Sequence, residues 1–140
     1  VPFHDDVFDV VIFNELFEHL RINPVFTLKD VHRVLKRGGK LLLSTPNLRS
    51  LDGIKHFLID NLSYSCSSDL YEQYRKLDTI GHMGHVREYT TREVIEFLHR
   101  IGFRVDSLLW RGAYSSRARK AIVRIAPNLR PFFSVVATKV

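Results

Sequence analysis

The chain has a single cysteine, Cys66, and so cannot close an internal disulfide, which suits a reducing compartment. No activating motif surrounds that thiol, which reads as unremarkable rather than nucleophilic. Long apolar runs are missing as well: none approaches the roughly 18 residues that a membrane-spanning helix needs. The N-terminus lacks the basic segment and apolar stretch of a secretory signal, so a cytoplasmic location is expected. There is no internal repeat, low-complexity tract or interdomain linker. Acid is absent from residues 107–140, which hold Arg111, Arg117, Arg119, Lys120, Arg124, Arg130 and Lys139. Residues 1–106 are near balance, with 14 Lys/Arg against 15 Asp/Glu. A basic end of this kind suits phosphate, an anionic lipid surface or nucleic acid, or is simply a solvated helix face. Finally, no methionine and no structural element precede the first apolar segment. Val1-Pro2-Phe3 already sits in a turn, so a truncated or partial domain is expected.

What is present is enough for one buried core: 140 residues, 45% of them hydrophobic. Phe8 to Phe13 is nearly continuously apolar, and Leu41 to Leu43 repeats that character after Gly38-Gly39. Such runs suit strands buried on both faces of a parallel sheet. Between them Leu28, Val31, Val34 and Leu35 recur at helical spacing, giving one stripe that can lie on the sheet. Strand, crossover helix and strand make a βαβ unit. Ligands of open sheets bind outside the carboxyl ends of the strands, here Asn14-Glu15 and Ser44-Thr45-Pro46-Asn47.

Further along, Ile54, Phe57, Leu58 and Leu62 fit one amphipathic stripe and Leu70, Tyr74 and Leu77 another, separated by a serine-rich loop over Asn61–Asp69. Thr90 and Glu93 have capping-box spacing before a helix whose buried face would be Val94, Phe97, Leu98 and Ile101, with Gly102 as its stop. Phe103 to Trp110 reads as a strand and Ser116 to Ile125 as a basic helix with Ala118, Ala121, Ile122 and Ile125 inward. Pro127 and Pro131 punctuate the connection to a last strand over Phe132–Val140. The densest polar cluster is Gly81 to Tyr89. There His82 and His85 offer proton acceptors near neutral pH, Arg87 a fork for anions and Tyr89 a phenolic hydrogen bond. His82, His85 and Glu88 lack the HExxH pattern and any cysteine partner, so no metal site is expected.

PFHDDVFDVVIFNELFEHL, followed by DVHRVLKRGGKLLLSTPN, resembles the second half of class I S-adenosylmethionine-dependent methyltransferases. The likeness is nearest to their small-molecule, type-11-like branch. GHVREYTTREVIEFLHRIGF also resembles that branch, and FFSVVATKV is similar to its last strand. The resemblance implies an α/β fold: a partial Rossmann-like methyltransferase sheet holding the family's strands four, five, seven and six side by side. Residues 1–140 would be the C-terminal part of one methyltransferase domain, with 48–89 as an acceptor-side insertion or lid. The implied cofactor is S-adenosylmethionine, and the implied reaction is methyl transfer to oxygen, nitrogen or carbon of a small-molecule acceptor in the intact protein.

By the same resemblance Asn14 and Glu15 would contact the cofactor, Glu15 at its amino group. Pro46, Asn47, His82, Arg87 and Tyr89 would face the acceptor, and His85, with His19 behind it, would be the catalytic candidates. Each has a structural alternative. Asn14 suits the N-cap of a helix over Glu15–Leu20, Glu15 and Glu18 suit its dipole, and Glu15 and His19 would share a face. Pro46-Asn47 suits a bare turn. The family's glycine-rich loop and its two cofactor-binding acids have no counterpart here, so the chain alone is expected to be inactive. Its first strand would be an exposed apolar edge open to self-association. Two other readings remain. One is a degenerate, methyltransferase-like binding module. The other is an RNA methyltransferase or binder using the basic end, although no RNA-binding signature is present and a nucleic-acid partner is not expected. The basic helix could also make a weak contact with an anionic membrane.

Overall fold

A computed structural model describes residues 2–64, 69–81 and 84–140, the side chains of Leu70 and Gln73 aside. Strands β1 (Phe8–Asn14) and β2 (Leu35–Pro46) pair in parallel, Val11 against Leu41 and Asn14 against Ser44. The crossover between them is helix α1 (Pro24–Val34). Asn23 caps it by accepting the Phe26 amide, proline takes its first position, and Leu28, Val31 and Val34 are buried. The expected βαβ unit is therefore present. Strand β3 (Phe103–Arg111) and strand β4 (Phe132–Lys139) complete the sheet in the order β1-β2-β4-β3, with β4 antiparallel to both neighbours.

One face of the sheet carries Phe13, Leu41, Leu43, Phe133, Val135 and Ala137 into the core, where α1 meets helix α4 (Thr91–Ile101) through Leu28, Val31, Val94 and Leu98. The capping box expected at Thr90 and Glu93 forms in both directions. Gly102 ends α4 with φ +114°, and a Cβ there would stand 2.9 Å from His32 Nε2. Gly102→Ala combines that clash with a left-handed strain and is expected to cost about 1–3 kcal/mol, read by urea unfolding.

Four expectations are corrected. The apolar run of β1 is not buried on both faces: Val10 and Ile12 are 54% and 67% exposed, because α1 and α4 lie on the same side of the sheet. Helix α2 (Leu51–Lys55) runs into a π turn over His56–Asp60, whose wider winding carries Phe57 and Leu58 outward instead of into one stripe. Tyr74 of helix α3 (Leu70–Ile80) is also exposed. Helix α5 (Arg117–Ile125) turns the opposite way from that expected: Val123 is buried, while Ala118, Ala121 and Ile122 are exposed and Ile125 is 87% exposed. Its facing follows its anchors, since Arg119 lies 5.0 Å above the Tyr114 ring and 2.7 Å from Asp52 Oδ1. Among the described residues no helix is long and apolar enough to cross a membrane.

A register shift in β3 between Val105 and Ser107 re-aims Asp106 toward Lys40, 2.8 Å away, and Thr138. Those two hydrogen bonds, Lys40 first, hold the Asp106 carboxyl at about 2. The folded value lies below the unfolded one, so the stabilisation is present above about pH 4 and is lost as pH falls toward 2. Acid titration of stability is expected to lose part of its slope between those limits in Asp106→Asn.

Candidate site at the carboxyl edge of the sheet

Asn14, Ser44 and Ser134 share one row across β1, β2 and β4. The two serine hydroxyls are 2.6 Å apart and buried. Arg111, at the end of β3, reaches over them: its Nη1 donates to Ser44 Oγ at 2.7 Å and Ser134 Oγ at 3.0 Å, and lies 3.3 Å from Asn14 Oδ1. Nothing local marks Arg111 for this position. It belongs to the basic end by composition, and only the sheet order brings it to a residue 97 positions away.

Glu15 follows with φ 49°, a left-handed conformation that costs a non-glycine residue on the order of 1 kcal/mol. Its amide donates to the Ser44 carbonyl at 3.0 Å. A chain in this conformation cannot start a helix, so Asn14 is not an N-cap and the helix expected over Glu15–Leu20 is reduced to one 3-10 turn, Phe17–His19, entered through Leu16 without a side-chain cap. The shared helical face of Glu15 and His19 disappears with it. Glu15 Oε1 is buried and has no hydrogen-bond partner among the described residues; Arg111 Nη1 is 3.9 Å away. Burial, and then the charge of Glu18, push the Glu15 carboxyl up, against the pull of Arg111 and His85.

The short turn buries Glu18, whose Oε2 accepts from Thr45 Oγ1 at 2.9 Å. The Glu18 carbonyl accepts the amides of Val86, at 2.8 Å, and Arg87, at 3.3 Å, which clamps the 84–89 segment onto the turn. His19 and His85 meet there edge-on, their rings 4.9 Å apart. His19 Nδ1 is 3.0 Å from the Gly84 carbonyl oxygen, and His85 Nδ1 is 2.8 Å from Oε1 of the buried Glu88. The Glu88 bond raises the His85 pKa against the effect of burial. Both expected histidines are thus brought together, with Glu18, Thr45 and Glu88 around them.

Arg87 and Tyr89 face elsewhere. Tyr89 packs on Phe17 with ring centres 4.5 Å apart, while Arg87 lies 5.0 Å over the Tyr89 ring and pairs with Glu93. With Phe97 and Pro24 they line a cavity of about 590 Å³ whose walls include none of Asn14, Glu15, His19 or His85. Pro46 and Asn47, expected to face the acceptor, hold structural positions. Pro46 is buried in the ladder opposite Phe132. Asn47 Nδ2 donates to the Asn128 and Arg130 carbonyls at 2.9 and 2.8 Å, and its Oδ1 accepts the Arg49 amide at 3.0 Å. Its polar atoms are spent on fastening the 127–131 connection to the sheet. His82 lies outside the described residues, as does Cys66.

A family model described as a methyltransferase domain matches residues 2–108. The chain belongs to that methyltransferase family. Solved S-adenosylmethionine-dependent methyltransferases share its fold: one from Thermotoga maritima at TM-score 0.59 and 17% identity, one from Mesorhizobium loti at 0.58 and 17%, and one from Methanosarcina mazei at 0.62 and 20%. The matches cover 99–100% of this chain and 59%, 65% and 63% of those proteins, so the methyltransferase chain spans about three fifths of their length. No curated protein matches it. The four strands and their order agree with the Rossmann-like methyltransferase sheet implied by the sequence motifs.

Proposed function

We propose that the protein transfers the methyl group of S-adenosylmethionine to a small-molecule acceptor, and that Asn14 and Glu15 belong to its cofactor side. The observation that carries this reading is Glu15 itself: a strained residue at the carboxyl end of β1 whose buried Oε1 has no donor among the described residues. Strain and an unmet acceptor are retained where a ligand uses them. The donor set fits the group: a carboxylate oxygen at this edge suits the cofactor's ammonium, and Arg111 steadies Asn14 beside it. When bound, S-adenosylmethionine supplies a sulfonium methyl open to in-line displacement. The protein's part is alignment and exclusion of water. His19 and His85, clamped beside Glu18, form the acceptor side. A cytoplasmic location belongs to the same proposal, as does a small-molecule rather than nucleic-acid acceptor.

The chain spans about three fifths of the length of its solved relatives, so the activity is proposed for the whole protein. Incubation of that protein with methyl-labelled S-adenosylmethionine and separate pools of small molecules, RNA and protein tests the reading. Label is expected in the small-molecule pool. Label confined to RNA, or no transfer to any pool, overturns it.

A further inference from the structure

Glu18, His19 and His85 offer one carboxylate oxygen and two imidazole nitrogens that all lie within 4.8 Å of one another. We propose that these three side chains bind one divalent first-row transition metal ion. The family match assigns no such site, and the wide sequence separation of His19 from His85 hides it from motif reading.

Each donor is already held by a second group. The Gly84 carbonyl can only accept, so His19 carries its proton on Nδ1 and its lone pair on Nε2, which sits 3.9 Å from Glu18 Oε1. The buried Glu88 carboxylate, 2.8 Å from His85 Nδ1, sets the same tautomer there. Thr45 Oγ1 holds Glu18 Oε2 at 2.9 Å and so presents the other oxygen to the histidines. Imidazole ligands oriented by a carboxylate or carbonyl, and a ligating carboxylate itself hydrogen-bonded, are the usual outer shell of a metal site.

Charge points the same way. The Glu18 and Glu88 carboxylates each face one imidazole, Glu18 Oε1 at 3.9 Å from His19 Nε2 and Glu88 Oε1 at 2.8 Å from His85 Nδ1. Arg87 is turned away to Glu93, leaving an excess of negative charge that a dication would neutralise. The backbone clamp from the Glu18 carbonyl to Val86, 2.8 Å long, ties the two ligand-bearing segments together. Two imidazoles and one carboxylate suit zinc or ferrous iron with positions left open. Bonds of about 2.1 Å in tetrahedral geometry put donors about 3.4 Å apart, so the side chains need to close by about 1 Å. Resting on the methyl-transfer reading, the open positions suit an acceptor that presents hydroxyl or phenolate oxygen.

Cobalt(II) titration of the metal-stripped chain reads the site without any cofactor or methyl transfer, so failure here and failure of the methyl-transfer reading are distinguishable. One equivalent is expected, with the d–d absorption of mixed nitrogen–oxygen ligation, displaced by zinc. His19→Asn and His85→Asn are each expected to abolish the band, Glu88→Gln to weaken binding about 10–100-fold, and His4→Asn to leave it unchanged. Circular dichroism establishes that each variant is folded; should one ligand variant fail to fold, the Glu88→Gln shift decides. No stoichiometric band in the parent chain, or a band that survives in both ligand variants, overturns the proposal.

Discussion

Phe17→Ala is expected to lower stability by about 3–5 kcal/mol, the largest effect of any single change considered. Phe17 is 1% exposed and is the first residue of the turn that carries Glu18 and His19. Its ring meets Tyr89 at 4.5 Å and Phe97 at 5.4 Å, joining the turn to the 84–89 segment and to α4. Truncation removes both contacts and leaves a cavity that a clamped turn cannot collapse to fill. Since whole domains are stable by only about 5–15 kcal/mol, much of the folded population would be lost at 37 °C. Phe17→Leu keeps most of the volume and is expected to cost less than half as much. Urea unfolding of the pair checks this: equal losses would mean that the rings contribute nothing beyond general hydrophobicity.

Asn47→Ala is expected to cost about 2–4 kcal/mol. The change removes three hydrogen bonds and strands the Asn128 and Arg130 carbonyls and the Arg49 amide in a part-buried place. Asn47→Asp is expected to be as harmful, because it keeps the acceptor for Arg49 and sets a carboxylate against two carbonyl oxygens. A loss below about 0.5 kcal/mol would contradict the structural role and return Asn47 to the acceptor side.

The fold was legible where local chemistry decides it. Thr90 with Glu93, Gly102, the apolar spacing of Leu28, Val31 and Val34, and the two runs flanking them mark α4, α1, β1 and β2 directly in the residues. The facing of elements was less legible, because it depends on what lies opposite. Val10 and Ile12 read as buried until α1 and α4 prove to share one side, and α5 is oriented by Arg119 on Tyr114, a contact no periodicity encodes. At the site, Asn14, Glu15, His19 and His85 could be named in advance from motif resemblance. Their geometry could not. It turns on one left-handed residue, on an arginine brought across the sheet, and on a backbone clamp between distant segments.

In the proposed function the carboxyl edge of β1 is the cofactor's side, with Glu15 as its contact. Calorimetric titration of the natural-length protein with S-adenosylmethionine, beside Glu15→Gln, tests it most directly. One-to-one binding is expected, weakened about 10–100-fold in the variant, the worth of a charged hydrogen bond. A higher melting temperature is expected for the variant without ligand, because burial and then the charge of Glu18 disfavour the carboxylate charge that the change removes. Binding that is equally tight in both proteins would contradict that contact.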